Sequence, residues 1–272
     1  MIAKEMIAMP GNAAVKSTAR VALKSFWPQA IFVCMLLCAG AFGLIYVCSL
    51  WGEMLPRVSP FLSIPAAILV FIAVLFPLFL GAFRFFYKAT AGNIDGIATV
   101  FQFFEIKKYL KTLFFSAVFS FKLITVAVVT YLPYWLIKIA MSLEFKFFTE
   151  NVFFYAEILL IVFGIIGTVL FILATSKYYI APMLYACRDD MNWTEVFYIA
   201  KHISRQSAGS FLVLLIGFTG WALLSLFGIP IVFTLPYFLA SYAVHCRYAF
   251  YHYNRSLSLA ENTEFLKYRS SF

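Results

Sequence analysis

The sequence predicts an all-α polytopic membrane bundle: six transmembrane helices plus two amphipathic helices lying at the cytoplasmic interface. Three observations lead there. Of 272 residues, 64% are hydrophobic and only 12% are charged, against about 25% charged in an ordinary soluble domain. The apolar residues gather into segments close to the ~20 residues that cross a bilayer. The basic residues gather between alternate segments, as they do on the cytoplasmic side of membrane proteins. A mean hydropathy of +0.91 leaves more apolar surface than a soluble fold can cover, and lipid is the solvent that accepts it.

Residues 1–26 form a cytoplasmic amphipathic segment. The apolar stretch after Trp27 is too long for a signal-peptide core of about 7–15 residues, so no cleavable signal is expected. The six spans cover about 27–50, 61–83, 114–140, 152–175, 211–227 and 229–249. Only Gly228 and Ile229-Pro230 separate the last two, so they read as a tight helical hairpin. The membrane domain therefore runs over 27–250, and 251–272 is a cytoplasmic tail. Four regions on one side hold 17 of the 21 basic residues, among them Lys16, Arg20, Lys24, Arg84, Lys111, Arg205 and Arg247. This places both termini in the cytoplasm and the chain in the cell membrane.

Two cytoplasmic connections read as amphipathic helices near 93–110 and 192–207. In the first, Ile94, Ile97, Phe101 and Phe104 recur at helical spacing; in the second, Trp193, Val196, Phe197, Ala200 and Ile203 do. Asn192 followed by Glu195 is a capping-box variant that would start the second. Each connection carries a Val-Phe pair, Val100-Phe101 and Val196-Phe197, consistent with a parallel internal duplication.

The net charge of +9 sits beside apolar spans without a basic run. It points to anionic lipids of the inner leaflet and not to nucleic acid. Three of the five cysteines, Cys34, Cys38 and Cys48, lie in the first span as small hydrophobes, and no metal-ligand spacing follows. No phosphate loop, His-Glu-x-x-His or Gly-x-Ser-x-Gly is present. No cofactor and no catalytic residue is assigned.

Two stretches carry a resemblance. One is Ala19-Arg20-Val21-Ala22-Leu23-Lys24 ahead of the first span. The other is Lys177-Tyr178-Tyr179-Ile180-Ala181-Pro182, followed by Phe218-Thr219-Gly220-Trp221 and Leu235-Pro236-Tyr237. In this order the chain resembles a bacterial family of polytopic integral membrane proteins recorded only as a domain of unknown function. The chain departs from that pattern at Val169-Leu170-Phe171, where the family has Ile-Pro-Gly. The resemblance implies a fold and a compartment but no activity.

Several residues are candidates for function. Lys122 lies within the third span, where an ionisable group is costly unless it has a role or snorkels to the interface. Lys138 and Glu157 lie near the outer ends of adjacent spans and are placed to pair. Asp189 and Asp190, with His202 on the following helix, could bind a phosphate headgroup or a metal, but a solvated turn that starts a surface helix is the favoured reading. Trp221, Gly228, Pro236 and Tyr237 shape the last hairpin. His245, Tyr248 and His252 share a helical face expected to be solvated at the interface. The leading expectation is a non-enzymatic accessory or scaffold subunit with a membrane protein partner. The alternatives are a transporter or lipid-handling protein with a cavity near Lys122 and Pro236, and a membrane enzyme acting on phosphorylated lipid.

Overall fold

The computed structural model describes residues 11–54, 59–93, 96–142, 150–188, 191–225, 228 and 230–269. These residues are helical, with no strand among them. In order they form α1 (Asn12–Met54), α2 (Ser59–Val70), a π turn (Phe71–Leu75), α3 (Phe76–Thr90), a 3₁₀ helix (Ile97–Phe104), α4 (Ile106–Ser142), α5 (Glu150–Thr175), α6 (Ala181–Cys187), α7 (Trp193–Ser225) and α8 (Ile231–Arg269). Five stretches are long and apolar enough to cross a membrane: Asn12–Val47, Pro65–Thr90, Ile106–Met141, Tyr155–Thr175 and Trp193–Ser225. The chain is therefore built as a multi-pass membrane protein. The sixth segment, at the start of α8, is helical but falls short of that standard. Tyr237, Tyr242, His245 and Arg247 dilute its apolar character, and protein covers Leu239–Cys246 on nearly every side.

Proline chemistry sets two irregularities. Asn12–Val47 would extend about 54 Å as a straight helix, against about 30 Å of hydrocarbon. It is broken at Phe26 (φ −134°, ψ 26°), two residues before Pro28, whose ring clashes with the carbonyl four residues back. Residues 12–25 thus form a separate arm. Its Val15, Ala19 and Leu23, with Phe26, are buried at i, i+4 and i+8 spacing, and the arm lies against α7 and α8. Lys16 Nζ donates to the Gly217 carbonyl at 2.9 Å and Tyr237 OH donates to the Lys16 carbonyl at 3.4 Å. The second irregularity is the π turn before α3. Pro77 has no amide proton to give the Ala73 carbonyl, and Tyr109 OH from α4 donates to that carbonyl at 2.9 Å.

α3 ends in a glycine cap. Gly92 (φ +91°) donates to Ala89 and Asn93 donates to Lys88, the 5→2 and 6→1 pair of a Schellman motif. The chain then returns as the 3₁₀ helix and corrects the sequence reading of this connection. The expected apolar face held Ile97, Phe101 and Phe104. In the structure Ile97, Val100 and Phe103 line the inner face, Val100 and Phe103 fully buried, while Phe101 is exposed. A 3₁₀ helix repeats every three residues, so the buried positions advance by three and the 3.6-residue pattern fails. Ile94 lies outside the described residues. Gly81 of α3 permits the contact: a Cβ there would overlap the backbone carbonyl group of Val100.

The second connection keeps its expected face except at Trp193, which is exposed. Val196, Phe197, Ala200 and Ile203 are buried, and the Glu195 carboxylate accepts the Asn192 amide at 3.3 Å, as a capping box requires. It is not a separate surface helix, however. It runs unbroken into the fifth apolar stretch as one 33-residue helix.

The buried core gathers α1, α3, the 3₁₀ helix, α6 and the adjoining parts of α4, α7 and α8. α4 and α5 instead form a hairpin arm. Tyr131 lies over Gly167, Tyr134 faces Gly164, and Tyr131 OH meets Thr168 Oγ1 at 2.8 Å. Beyond α4 the faces of α5 are apolar and uncovered.

Candidate functional site

An enclosed polar network lies where α6 begins and α7 meets α8. Tyr179 OH is 2.6 Å from Ser207 Oγ and 3.1 Å from His245 Nε2, and Ser207 Oγ donates to the Ile203 carbonyl at 2.8 Å. Ser207 and His245 are each 1% exposed. A hydroxyl has one proton. With Ser207 committed to Ile203, Tyr179 must donate to Ser207, and His245 must donate Nε2–H to Tyr179. The chain of donors thus runs one way, with a proton on His245 Nε2. Burial pushes the Tyr179 phenol far up, so it stays a donor. Its ring stacks on Phe211 at 4.0 Å, and Tyr242 OH donates to its backbone carbonyl at 2.5 Å. Every proton in this network is used internally. It works as a clasp joining three helices.

This corrects the expectation for His245. Tyr248 and His252 are half-buried, but His245 is enclosed. Its partners lie far away in the chain, so helical spacing did not show them.

An aromatic wall stands beside the clasp. Phe115 stacks on Tyr185 at 4.1 Å and on Phe197 at 5.4 Å, with Phe119 continuing the stack. Lys122 caps it. Its Nζ lies 3.7 Å from the centre of Phe197 and 5.2 Å from that of Tyr178, so the ring faces supply the negative potential that this cation lacks in an apolar span.

The expected Lys138–Glu157 pair is not formed. Tyr131 over Gly167 and Tyr134 facing Gly164 set a register that, carried on, puts Lys138 opposite about residue 160, roughly one turn short of Glu157. Lys138 instead lies 5.6 Å from the ring centre of its neighbour Trp135, and Glu157 is exposed. Asp189 and Asp190 lie outside the described residues. His202 is half-buried against the Tyr198 ring at 4.7 Å, and no cluster of three metal-ligating side chains occurs among the described residues. In the last hairpin Gly228 takes φ +83°, which favours glycine. Pro236 is buried, Tyr237 packs on Phe218 at 5.2 Å, and Trp221 is exposed.

A cavity of about 360 Å³ opens between α3, α6, α7 and α8, lined by Tyr87, Cys187, Arg188, Met191, Ile203 and Asn254 among others. Burial pushes the Cys187 thiol up to about 12, against the opposing pull of Arg84, Arg188 and Lys88. It stays a protonated, poorly nucleophilic thiol at neutral pH. Sequence reasoning missed this cavity, because its walls come from four separate helices. No family model, curated protein or solved structure matches the chain.

Proposed function

We propose that the chain is a six-helix protein of the cell membrane with both termini in the cytoplasm. On this reading it serves as a non-enzymatic accessory or scaffold subunit that offers its α4–α5 arm to a partner's transmembrane helix. The observation that carries this is the contrast between the arm and the core. α5 packs on α4 with most of its apolar surface uncovered, while the Tyr179–Ser207–His245 group of the core is consumed by internal hydrogen bonds. The basic-residue alternation supports α8 as the sixth span, shielded from lipid by its neighbours.

The test is extraction from native membranes into polymer-bounded discs without detergent, followed by mass spectrometry of retained proteins. The expected result is a membrane protein held at fixed stoichiometry and lost in an Ile161→Ala, Ile165→Ala double variant, since both side chains stand on the uncovered face. Retention of no protein, or of the same protein by the double variant, would reject the reading.

A further inference from the structure

A groove of about 430 Å³ lies between the N-terminal arm and the last hairpin. Its walls include Arg20, Lys24 and Trp27 from α1, Trp221 from α7, and Phe233 and Tyr237 from α8. The volume falls within the roughly 300–1,000 Å³ of ligand-binding clefts. The groove is chemically polarised. Arg20 and Lys24 follow one another along one face of the arm helix and Trp27 stands just past the break at Phe26, so two cations come first and the aromatic box after them. Trp27 stacks on Phe233 at 6.0 Å and 20°, forming an apolar floor, while Arg20 leans over the Tyr237 ring at 5.9 Å. Among the described residues no carboxylate pairs with Arg20 or Lys24. Lys16, one turn earlier, is already committed to the Gly217 carbonyl and the Phe218 ring. On the groove wall, the Thr234 hydroxyl is buried without a hydrogen-bond partner.

We infer that this groove is a seat for one anionic phospholipid. Its phosphate lies between Arg20 and Lys24, and an acyl chain lies against Trp27, Trp221 and Phe233. The order of chemistry matches a phospholipid: charge at the arm, tryptophan beside it, apolar surface beyond. Thr234 stands in the wall that an ester carbonyl would pass. The inference rests on the membrane reading above but not on any protein partner. A seated lipid would also add a bridge between the arm and the hairpin.

The test uses the full chain reconstituted in nanodiscs of equal phosphatidylglycerol and phosphatidylethanolamine, released gently and weighed with its retained lipids by native mass spectrometry. Phosphatidylglycerol should be retained preferentially. Each basic group near a membrane surface is worth about fivefold, so Arg20→Gln with Lys24→Gln should lower that preference about thirtyfold. Lys24→Gln alone should lower it about fivefold and guards against a double variant that fails to fold. Lys111→Gln, an exposed cation outside the groove, should change nothing. Trp221→Ala should weaken retention of phosphatidylglycerol. Equal retention of both lipids by the unaltered protein, or undiminished preference in both glutamine variants, would overturn the inference. Displacement of the lipid by excess inorganic phosphate would show an anion site without a chain seat and would overturn it as well. Capture of a protein partner in the co-purification experiment has no bearing on these outcomes.

Discussion

Gly81→Ala tests whether the 3₁₀ helix is held by direct backbone contact with α3. The added methyl group meets the Val100 carbonyl group, not the end of a flexible side chain, so neither partner can rotate away. Overpacking of a filled core costs about 1–3 kcal/mol, and backbone on one side puts this site near the upper end. If the 3₁₀ helix lifted off instead, Val100 and Phe103 would lose their burial, at about 1.5–3 kcal/mol each. Overpacking is thus the cheaper response. Alanine recovers about 0.5–1 kcal/mol of helix propensity, leaving a net loss of about 2 kcal/mol. For a chain of this size that lowers Tm by about 4–8 °C, readable by tryptophan fluorescence during heating in one detergent. Gly209→Ala is the matched control, because a Cβ there meets nothing within 4 Å; it should leave Tm unchanged or slightly raised. A Gly81→Ala protein melting within about 1 °C of the parent would refute the reasoning.

Other perturbations have equally definite outcomes. Tyr179→Phe keeps the stack on Phe211 but strands the Ser207 and His245 partners, and should cost about 1–3 kcal/mol in thermal scans. His245→Gln, which can still donate a proton to Tyr179, should be milder than His245→Leu; the reverse order would refute the donor chain. Tyr109→Phe removes the donor to the Ala73 carbonyl and should cost about 1–3 kcal/mol, with a companion Pro77→Ala recovering part of it by supplying an amide proton. Lys122→Met retains the packed stem but not the cation over Phe197, and should cost about 0.5–2 kcal/mol in the same scans; an unchanged Tm would show that the rings do not hold the charge. Cys187 should resist maleimide at pH 7.5 in the folded protein and react readily after denaturation, as peptide mapping would show. Its folded pKa is raised, so its contribution to stability is complete below about pH 9 and is lost as pH climbs from 9 toward 12.

The membrane class was legible because it depends on composition and on runs of apolar residues, which need no knowledge of contacts. The face holding Val196 to Ile203 was legible because a regular helix repeats its buried positions. The face around Val100 was misread because a tighter helix uses a different repeat, and nothing within residues 97–104 announces it; the cause is Gly81, sixteen residues or more away. Lys138 and Glu157 were matched by depth alone, whereas the hairpin register is set by glycines beneath Tyr131 and Tyr134. The Tyr179–Ser207–His245 clasp and the groove at Arg20 and Lys24 are assembled from distant segments. Sequence spacing carries no trace of either, although the polar residues in otherwise apolar α8 were a signal that it is enclosed by protein.

The packing of α1 against α8 also bears on biogenesis. The arm at residues 12–25 leaves the ribosome ahead of α7 and α8, yet its hydrogen-bond partners lie beyond residue 210. At roughly 5–20 residues per second, those partners emerge about 10–40 s later. Throughout that interval Lys16 lacks both the Gly217 carbonyl and the Tyr237 hydroxyl that hold the arm in place. A nascent polypeptide stalled or truncated before α8 would therefore present a bare amphipathic helix to the insertion and proteolysis machinery. Completion of the last helix, more than insertion of the first, is the step that removes the chain from surveillance.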